Sequence, residues 1–305
     1  MKIHVPSLFL SLIALVSCGA SASSSSSVST EYDLESLQSE YGEFSITPAV
    51  SGVGSVVYEE ETNTYVLSVA STKAEYIVTG YFEGAIAIQN ASGLSAYKGV
   101  TLPLTKACLV SSGDYAAMDY QLESKNVEIK AKKDTKNLIL SRSNGVAVHS
   151  ENNIEFSGKG YLELASLAEG IHTVRASGDV SIYSAPSIVV TTSGHDAFHG
   201  NHLYFTDGSE AYSGTMRIHN VVSQAFDFET SSGNGSVSVD GGVVYVDSAD
   251  AVFKTDKTLT IAKGAKVIGT NVRESPYVVG DNSSGLSVNI LGTFTVNGET
   301  ITEIE

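Results

Sequence analysis

The 305-residue sequence is poor in several residue types whose absence narrows its fold and its partners. It has two cysteines, Cys18 and Cys108, so no internal disulfide can form if either of them carries another modification. Its 18 basic residues face 34 acidic ones, and the formal net charge of −16 argues against the basic surface that nucleic-acid binding requires. No run reaches the roughly 20 apolar residues of a transmembrane helix. We therefore expect a water-soluble domain that burial of apolar side chains stabilises.

A short apolar run, Val5–Val16, has the length of a signal peptide. It ends in the sequence LVSCG at positions 15–19, which resembles the lipobox of bacterial lipoproteins. The resemblance implies that residues 1–17 are a lipoprotein signal peptide and that Cys18 is lipidated after cleavage. Ordinary signal cleavage shortly after Cys18 is the alternative. We expect an exported protein, held by its N-terminal lipid at a bacterial outer or cell-surface membrane.

Composition divides the rest of the chain into a tether and a domain. Residues 20–30 are nearly all Ser and Ala, which is typical of a flexible coil, and residues 32–41 are acidic and only loosely helical in spacing. We assign residues 18–45 to a Ser-rich tether and acidic lead-in, and residues 46–305 to a β-domain. Asn297-Gly298, between alternating strands, predicts a type I′ hairpin that caps the domain.

The domain is predicted to be all-β, because short β-branched stretches alternate with Gly, Asn, Asp and Ser. Apolar anchors recur at intervals of 26, 23, 34 and 22 residues, and the longest interval indicates an insertion: Ile154, Val180, Leu203, Val237 and Leu259. One coil of a parallel β-helix, in which strands stack ~4.8 Å apart, needs a period in the low twenties. We therefore predict a parallel β-helix, a type of solenoid; an array of β-sandwiches is the alternative.

Several motifs resemble those of the carbohydrate-binding domain family of bacterial surface β-helices, typified by a clostridial cellulose-binding protein. The family repeats patterns of the type D-G-I-x-x-x-D-x-L-x-I, and the counterparts here are EGI at 169–171, GDVSI at 178–182 and DAFHG at 196–200. The resemblance implies a right-handed parallel β-helix, binding of plant-type polysaccharide, and Ca²⁺ held by acidic turn residues. The acids in question are Glu169, Asp179, Asp196 and Asp256. Calcium is the one cofactor that the resemblance implies, and substituted turns weaken its sites because calcium needs six to eight oxygen ligands.

Two sets of polar residues have spacings that invite a chemical interpretation. His195, His199 and His202 fall within eight residues, a spacing that suggests a zinc site. In a turn, however, this spacing does not bring the imidazole rings together predictably. We therefore favour the interpretation that they are polar turn residues. Four aspartates fall at related points of successive repeats, as a glycoside hydrolase or lyase would need: Asp179, Asp196, Asp227 and Asp256. Stacked turns produce such ladders without catalysis.

Aromatic and basic residues suggest how a sugar could bind. Pyranose faces pack against flat rings, and the sequence has no Trp but 15 Tyr. Strand alternation predicts that Tyr183, Tyr204 and Tyr245 point outward, where rings on successive coils could form a platform. Scattered surface tyrosines without a common role are the alternative. Five lysines lie within twelve residues, and they suit either a solvated sheet edge or contact with an acidic glycan: Lys125, Lys130, Lys132, Lys133 and Lys136.

These observations predict a monomeric, non-catalytic surface lipoprotein that binds polysaccharide. The first alternative is a polysaccharide lyase or hydrolase built on a β-helix. The second is a structural or adhesive surface lipoprotein whose ligand is another protein.

Overall fold

The structure, a computed structural model, describes residues 32–50, 54–69, 74–90, 99–121 and 126–302. The predicted signal peptide, Cys18 and most of the tether therefore lie outside the described residues. The described chain is a nearly all-β solenoid of about eight turns built from parallel strands. The predicted parallel β-helix is therefore confirmed, and the alternative, an array of β-sandwiches, is not what the structure shows. Its only described helix, α1 (Leu34–Tyr41), is too short to cross a membrane, and no longer apolar helix occurs among these residues.

The strands follow one another along the chain with short turns between them. In chain order they are β1 (Ser45–Pro48), β2 (Gly54–Glu59), β3 (Thr64–Val69), β4 (Ala74–Glu83), β5 (Ala85–Asn90), β6 (Val100–Ser111), β7 (Met118–Tyr120), β8 (Val127–Ala131), β9 (Lys136–Ser141), β10 (Val148–Ser150), β11 (Ile154–Gly158), β12 (Tyr161–Ser166), β13 (Val174–Ala176), β14 (Val180–Ile182), β15 (Ser187–Ser193), β16 (Phe198–His199), β17 (His202–Tyr204), β18 (Thr215–His219), β19 (Phe226–Phe228), β20 (Ser236–Val239), β21 (Val243–Asp247), β22 (Ala251–Thr255), β23 (Thr258–Ile261), β24 (Lys266–Thr270), β25 (Ser275–Val279), β26 (Ser287–Ile290), β27 (Thr293–Val296) and β28 (Glu299–Thr300).

Each regular coil contributes one strand to each of three stacks of parallel strands. Stack A contains β8, β11, β14, β17, β20, β23 and β26. Stack B contains β9, β12, β15, β18, β21, β24 and β27. Stack C runs from β3 through β5, β7, β10, β13, β16, β19 and β22 to β25, while the long strands β4 and β6 precede stacks A and B. A residue is therefore a spatial neighbour of residues roughly one coil away in sequence.

The predicted repeat has the register that the structure shows. Ile154, Val180, Leu203, Val237 and Leu259 are direct partners in stack A, and all are buried. The 34-residue interval does contain an insertion, a small hairpin bridged by Thr206 and Ala211. The spacing of apolar residues thus predicted the stacking correctly.

The core is a continuous column of apolar side chains inside the coils. Its centre is a row of rings in stack C, where Phe226 stacks on Phe198 and Phe253 with centroid separations of 5.6 and 5.4 Å. Buried serines form a second row, in which the hydroxyls of Ser166 and Ser193 donate to backbone carbonyls of the turns that follow. These serines fix the turns that lead from stack B to stack C.

A short helix precedes the first strand. Residues 32–45, expected to be a lead-in, include helix α1, which Asp33 caps through the backbone N–H groups of Glu35 and Ser36. The helix packs Tyr41 and its neighbours over the outer face of stack B, against Cys108 among others. Burial, and then the carboxylates of Glu40 and Glu163, raise the pKa of Cys108 to about 12, so this buried cysteine stays a thiol.

Antiparallel strands flank the solenoid on both sides. Strand β1 pairs with β4 and β2 pairs with β3. Near the other end β28 pairs with β27 through Asn297 and Gly298, whose φ angles of 51° and 86° are those of a type I′ turn. The predicted C-terminal hairpin is therefore present.

Candidate functional site

Two neighbouring depressions on the outer face of stack A share the side chains of Glu128 and Tyr183. The larger has a volume of about 350 Å³, and its lining includes four lysines together with Ser157, Ser184 and Glu210. The smaller, about 300 Å³, is lined by polar groups that include Thr101, Asn126 and Glu155. We call the two together the Tyr183 groove. Their volumes are in the lower range of small-molecule sites, and Tyr183 stands between them.

The solenoid corner and the insertion shape the larger depression. The chain turns from stack A to stack B at Gly158, which has φ +102°, and a Cβ there would lie 2.0 Å from the Ala131 carbonyl oxygen. Only glycine fits this close approach of two coils. The inserted hairpin after β17 contributes Glu210 to the wall of this depression. A coil of standard length would lack that wall.

Glu128 and Glu155 are register partners on adjacent strands, yet their surroundings favour different charge states. Burial alone would raise the pKa of Glu128, but hydrogen bonds from Ser157 and Thr101 and the charge of Lys130 outweigh it, so that pKa is lowered. Burial, reinforced by the charge of Glu128, raises the pKa of Glu155 despite a 2.6 Å hydrogen bond from Asn126 Nδ2. The groove therefore holds one firmly ionised carboxylate beside one that accepts a proton more readily.

Tyr183 is half-buried, and its hydroxyl lies 3.5 Å from Glu155 Oε2. Burial, followed by the charges of Glu128 and Glu155, raises the pKa of this phenol, which stays protonated at neutral pH. Its ring thus offers an apolar surface with a hydrogen-bond donor at the tip. This combination suits a sugar ring, which has apolar faces and hydroxyl edges.

Lysines supply the positive charge of the groove. Lys130, Lys132 and Lys133 from the predicted cluster line the larger depression, joined by Lys159 of the next coil. Lys136 instead lies 3.7 Å from Glu40 of helix α1, and Lys125 is outside the described residues. The cluster is therefore a local basic patch in an acidic protein.

The three predicted tyrosines do not form one platform. Tyr204 is on stack A, in register with Ser181 rather than with Tyr183. Tyr245 is on stack B, in register with Arg217, whose guanidinium carbon lies 4.5 Å from the centre of the tyrosine ring. Alternation predicted outward side chains, and all three are partly exposed, but it did not tell which stack carries each ring. Of the three, Tyr183 alone lines the groove.

Comparison with known proteins identifies the family. A family model described as "Carbohydrate-binding domain-containing protein" matches residues 61–304, well over half of the chain. This chain belongs to that carbohydrate-binding domain family. The resemblance seen in the sequence motifs is thereby confirmed.

The fold is shared with a solved structure, a gadolinium derivative of the polysaccharide lyase-like protein from C. thermocellum. The two have a TM-score of 0.54 and 13% sequence identity, and the match covers 74% of this chain and 87% of that chain. At such low identity the likeness concerns the fold alone. A comparison with curated proteins gives no match.

The acids predicted as calcium ligands are not brought together in this carbohydrate-binding domain. Among the described residues, clusters of three or more His, Cys, Asp or Glu donors include Asp196 but not Glu169, Asp179 or Asp256. Glu169 is exposed on a turn, and Asp256 is buried, where its Oδ2 accepts hydrogen bonds from backbone N–H groups of Thr230 and Gly235. These four acids thus do not assemble the carboxylate-rich donor set that calcium favours.

The histidine motif of the carbohydrate-binding domain divides in space. His195 and His199 meet His172 of the preceding coil, with ring centroids 4.7 Å from that of His172 in both cases. His202 lies on stack A instead, where its Nδ1 is 2.8 Å from Ser236 Oγ. Of the four aspartates in the predicted ladder, Asp196 and Asp227 have carboxylate oxygens close to ring nitrogens of these histidines.

Sequence reasoning missed Glu128, Glu155 and His172 as site residues. Glu128 and Glu155 are 27 positions apart, and His172 precedes His195 by 23, each about one coil. The repeat period, applied to polar as well as apolar residues, is the signal that would have paired them.

Proposed function

We propose that this chain is a non-catalytic polysaccharide-binding surface lipoprotein and that the Tyr183 groove binds the glycan. Membership of the carbohydrate-binding domain family supports a saccharide ligand. The observation that carries the choice of site is the position of Tyr183, which lines both depressions. An extended chain of sugars lying across the ring would place neighbouring residues in the two depressions.

The charges of the groove favour an anionic polysaccharide. Lys132 and Lys159 line the larger depression and make no ion pair within 4.0 Å among the described residues. Lys130 lies 3.8 Å from Glu128, whose carboxylate is already bound by two hydroxyls. Ammonium groups are thus available to carboxylates of a uronate chain, and binding should weaken as salt rises.

Affinity electrophoresis of the full chain in gels containing polygalacturonate or cellulose derivatives would test this proposal. We expect Tyr183→Ala to lose most retardation, because the stacking surface is gone, while Tyr183→Phe keeps a large part of it. Tyr245→Ala is the matched control, since it removes an equal ring from stack B. Equal retardation of the Tyr183→Ala and wild-type proteins would overturn the assignment.

Lipid anchoring at Cys18 is part of the same proposal and is supported by the lipobox-like sequence. Mass spectrometry of the wild-type protein should show an acylated N-terminal cysteine. The Cys18→Ala variant should lack the acyl mass and leave the membrane fraction. A wild-type protein without acyl groups would contradict the surface lipoprotein assignment and leave the groove assignment untouched.

A polysaccharide lyase or hydrolase is the second candidate, favoured by the opposite pKa directions of Glu128 and Glu155 beside Tyr183. Paired acids that differ in this way are the usual arrangement for proton transfer. This candidate would be established if the wild-type protein released reducing ends from polygalacturonate and if the Glu155→Gln and Glu128→Gln variants did not. Retardation without product release would favour binding alone.

A further inference from the structure

A second polar cluster lies away from the Tyr183 groove, at the entrance to stack C. It consists of His172, His195, Asp196, His199 and Asp227, which we call the histidine cluster. His172, His195 and Asp196 have donor atoms within 4.8 Å of one another, and so do Asp196, His199 and Asp227. The buried carboxylate of Asp196 is common to both groups.

The stacking of coils holds these residues in place. The hydroxyls of Ser166 and Ser193 donate to the backbone carbonyls of His172 and Asp196 at 3.0 and 2.6 Å. Asp196 Oδ1 accepts a 2.9 Å hydrogen bond from the backbone N–H of Gln224 on the next coil. The other oxygen, Oδ2, is thereby directed toward the imidazoles.

The distances within the cluster suit metal coordination. Asp196 Oδ2 lies 3.2 Å from His172 Nδ1 and 2.8 Å from His195 Nδ1. Two ligand atoms on a tetrahedral zinc ion, each at about 2.0–2.1 Å, are separated by about 3.3 Å. Small side-chain shifts would therefore place an ion between these three atoms.

Two ring nitrogens of the cluster lack the partner that buried polar atoms normally have. His172 Nδ1 and His199 Nδ1 are shielded from solvent and make no hydrogen bond of acceptable geometry. The rings of these two histidines stack with centroids 4.7 Å apart. An unsatisfied buried nitrogen costs free energy, and a metal ion bound to His172 Nδ1 would remove that cost at this atom.

We propose that His172, His195 and Asp196 bind one ion of the zinc class. Two imidazoles and a carboxylate favour zinc and related transition metals over calcium, which prefers oxygen ligands. The ion would join His172 of one coil to His195 and Asp196 of the next. It acts as a cross-link between coils, independent of glycan binding because its ligands lie outside the groove.

The test uses the full chain without a polyhistidine tag, stripped of metal with a chelator. Calorimetric titration with Zn²⁺ should give one site per chain, Zn²⁺ should raise the melting temperature more than Ca²⁺ does, and Co²⁺ should give visible bands of a tetrahedral site. Zinc binding no tighter than calcium binding, or several weak sites, would overturn the proposal.

His195→Ala removes the most exposed of the three ligands, with 43% of its side chain accessible, so the fold should tolerate it. We expect its zinc affinity to fall by at least about 100-fold, beyond the 10–100-fold typical of residues that only orient a ligand. His219→Ala is the matched control, because His219 faces Asp247 at 3.8 Å in a comparable pair that belongs to no cluster of donors among the described residues. Equal losses in both variants, or none in His195→Ala, would refute the site.

Discussion

At the scale of single residues, the parallel coils turn sequence-distant side chains into close pairs with coupled charges. Glu128 and Glu155 share a register position but differ in the direction of their pKa shifts. A lowered pKa contributes stability that is present above the unfolded value of 4.5 and is lost as the pH falls through the folded value. A raised pKa contributes stability that is present below 4.5 and is lost as the pH rises through the folded value.

The two glutamine variants should therefore respond to pH with opposite signs. Near neutral pH, Glu128→Gln should lower the free energy of unfolding by about 1–2 kcal/mol, because charge-assisted hydrogen bonds are lost. Glu155→Gln should raise it, since a neutral amide replaces a carboxylate that burial disfavours. Both differences should shrink in acid, where the wild-type carboxyls are protonated. Urea unfolding near neutral pH and in acid measures the free energy of unfolding of each variant. A loss of stability in both variants near neutral pH would contradict the opposite pKa shifts of Glu128 and Glu155.

Residue types alone could not locate the candidate site. Tyr183 was found because alternation with Val180 and Ile182 places it outside. Its neighbours Glu128 and Glu155 come from earlier coils, and no local pattern marks them. Tyr245 shows the limit of alternation, which gives the side of a strand but not the stack to which the strand belongs.

At the scale of elements, the strand columns carry the stability of the molecule. Phe226 is fully buried between Phe198 and Phe253 in three successive coils of stack C. Phe226→Ala would leave a cavity within this row and should lower the free energy of unfolding by about 3–5 kcal/mol.

Phe226→Leu is the control, because it retains most of the volume and loses only the stacked ring. Chemical denaturation of the three proteins gives the comparison. Similar stabilities for Phe226→Ala and Phe226→Leu would mean that the neighbouring rings close the cavity.

Elements with a repeated hydrophobic pattern could be predicted, and irregular ones could not. The column from Ile154 to Leu259 was correct in register because each coil must bury an apolar residue at the same point. Helix α1 was missed because its eight residues have only a narrow apolar face, and contact with stack B stabilises it. The insertion was detected from spacing, but its role as a wall of the groove follows only from the fold.

At the scale of the whole molecule, a solenoid must protect the strands where stacking stops. Unpaired strands at such an edge would form backbone hydrogen bonds with strands of other copies of the protein. Strand β1 covers one edge of β4 in antiparallel register, and Ile46 of β1 is part of the core. The next residue, Thr47, is exposed.

This alternation gives a matched pair of variants that tests whether β1 blocks self-association at the edge of β4. Ile46→Asp would bury a charge, which should detach β1 and expose the edge of β4. We expect concentration-dependent self-association, measured by light scattering. Thr47→Asp adds the same charge at the exposed neighbour and should scatter light as the wild-type protein does. If Ile46→Asp also scatters light as the wild-type protein does while its melting temperature falls, edge protection must come from elsewhere in the chain, and β1 would contribute to stability alone.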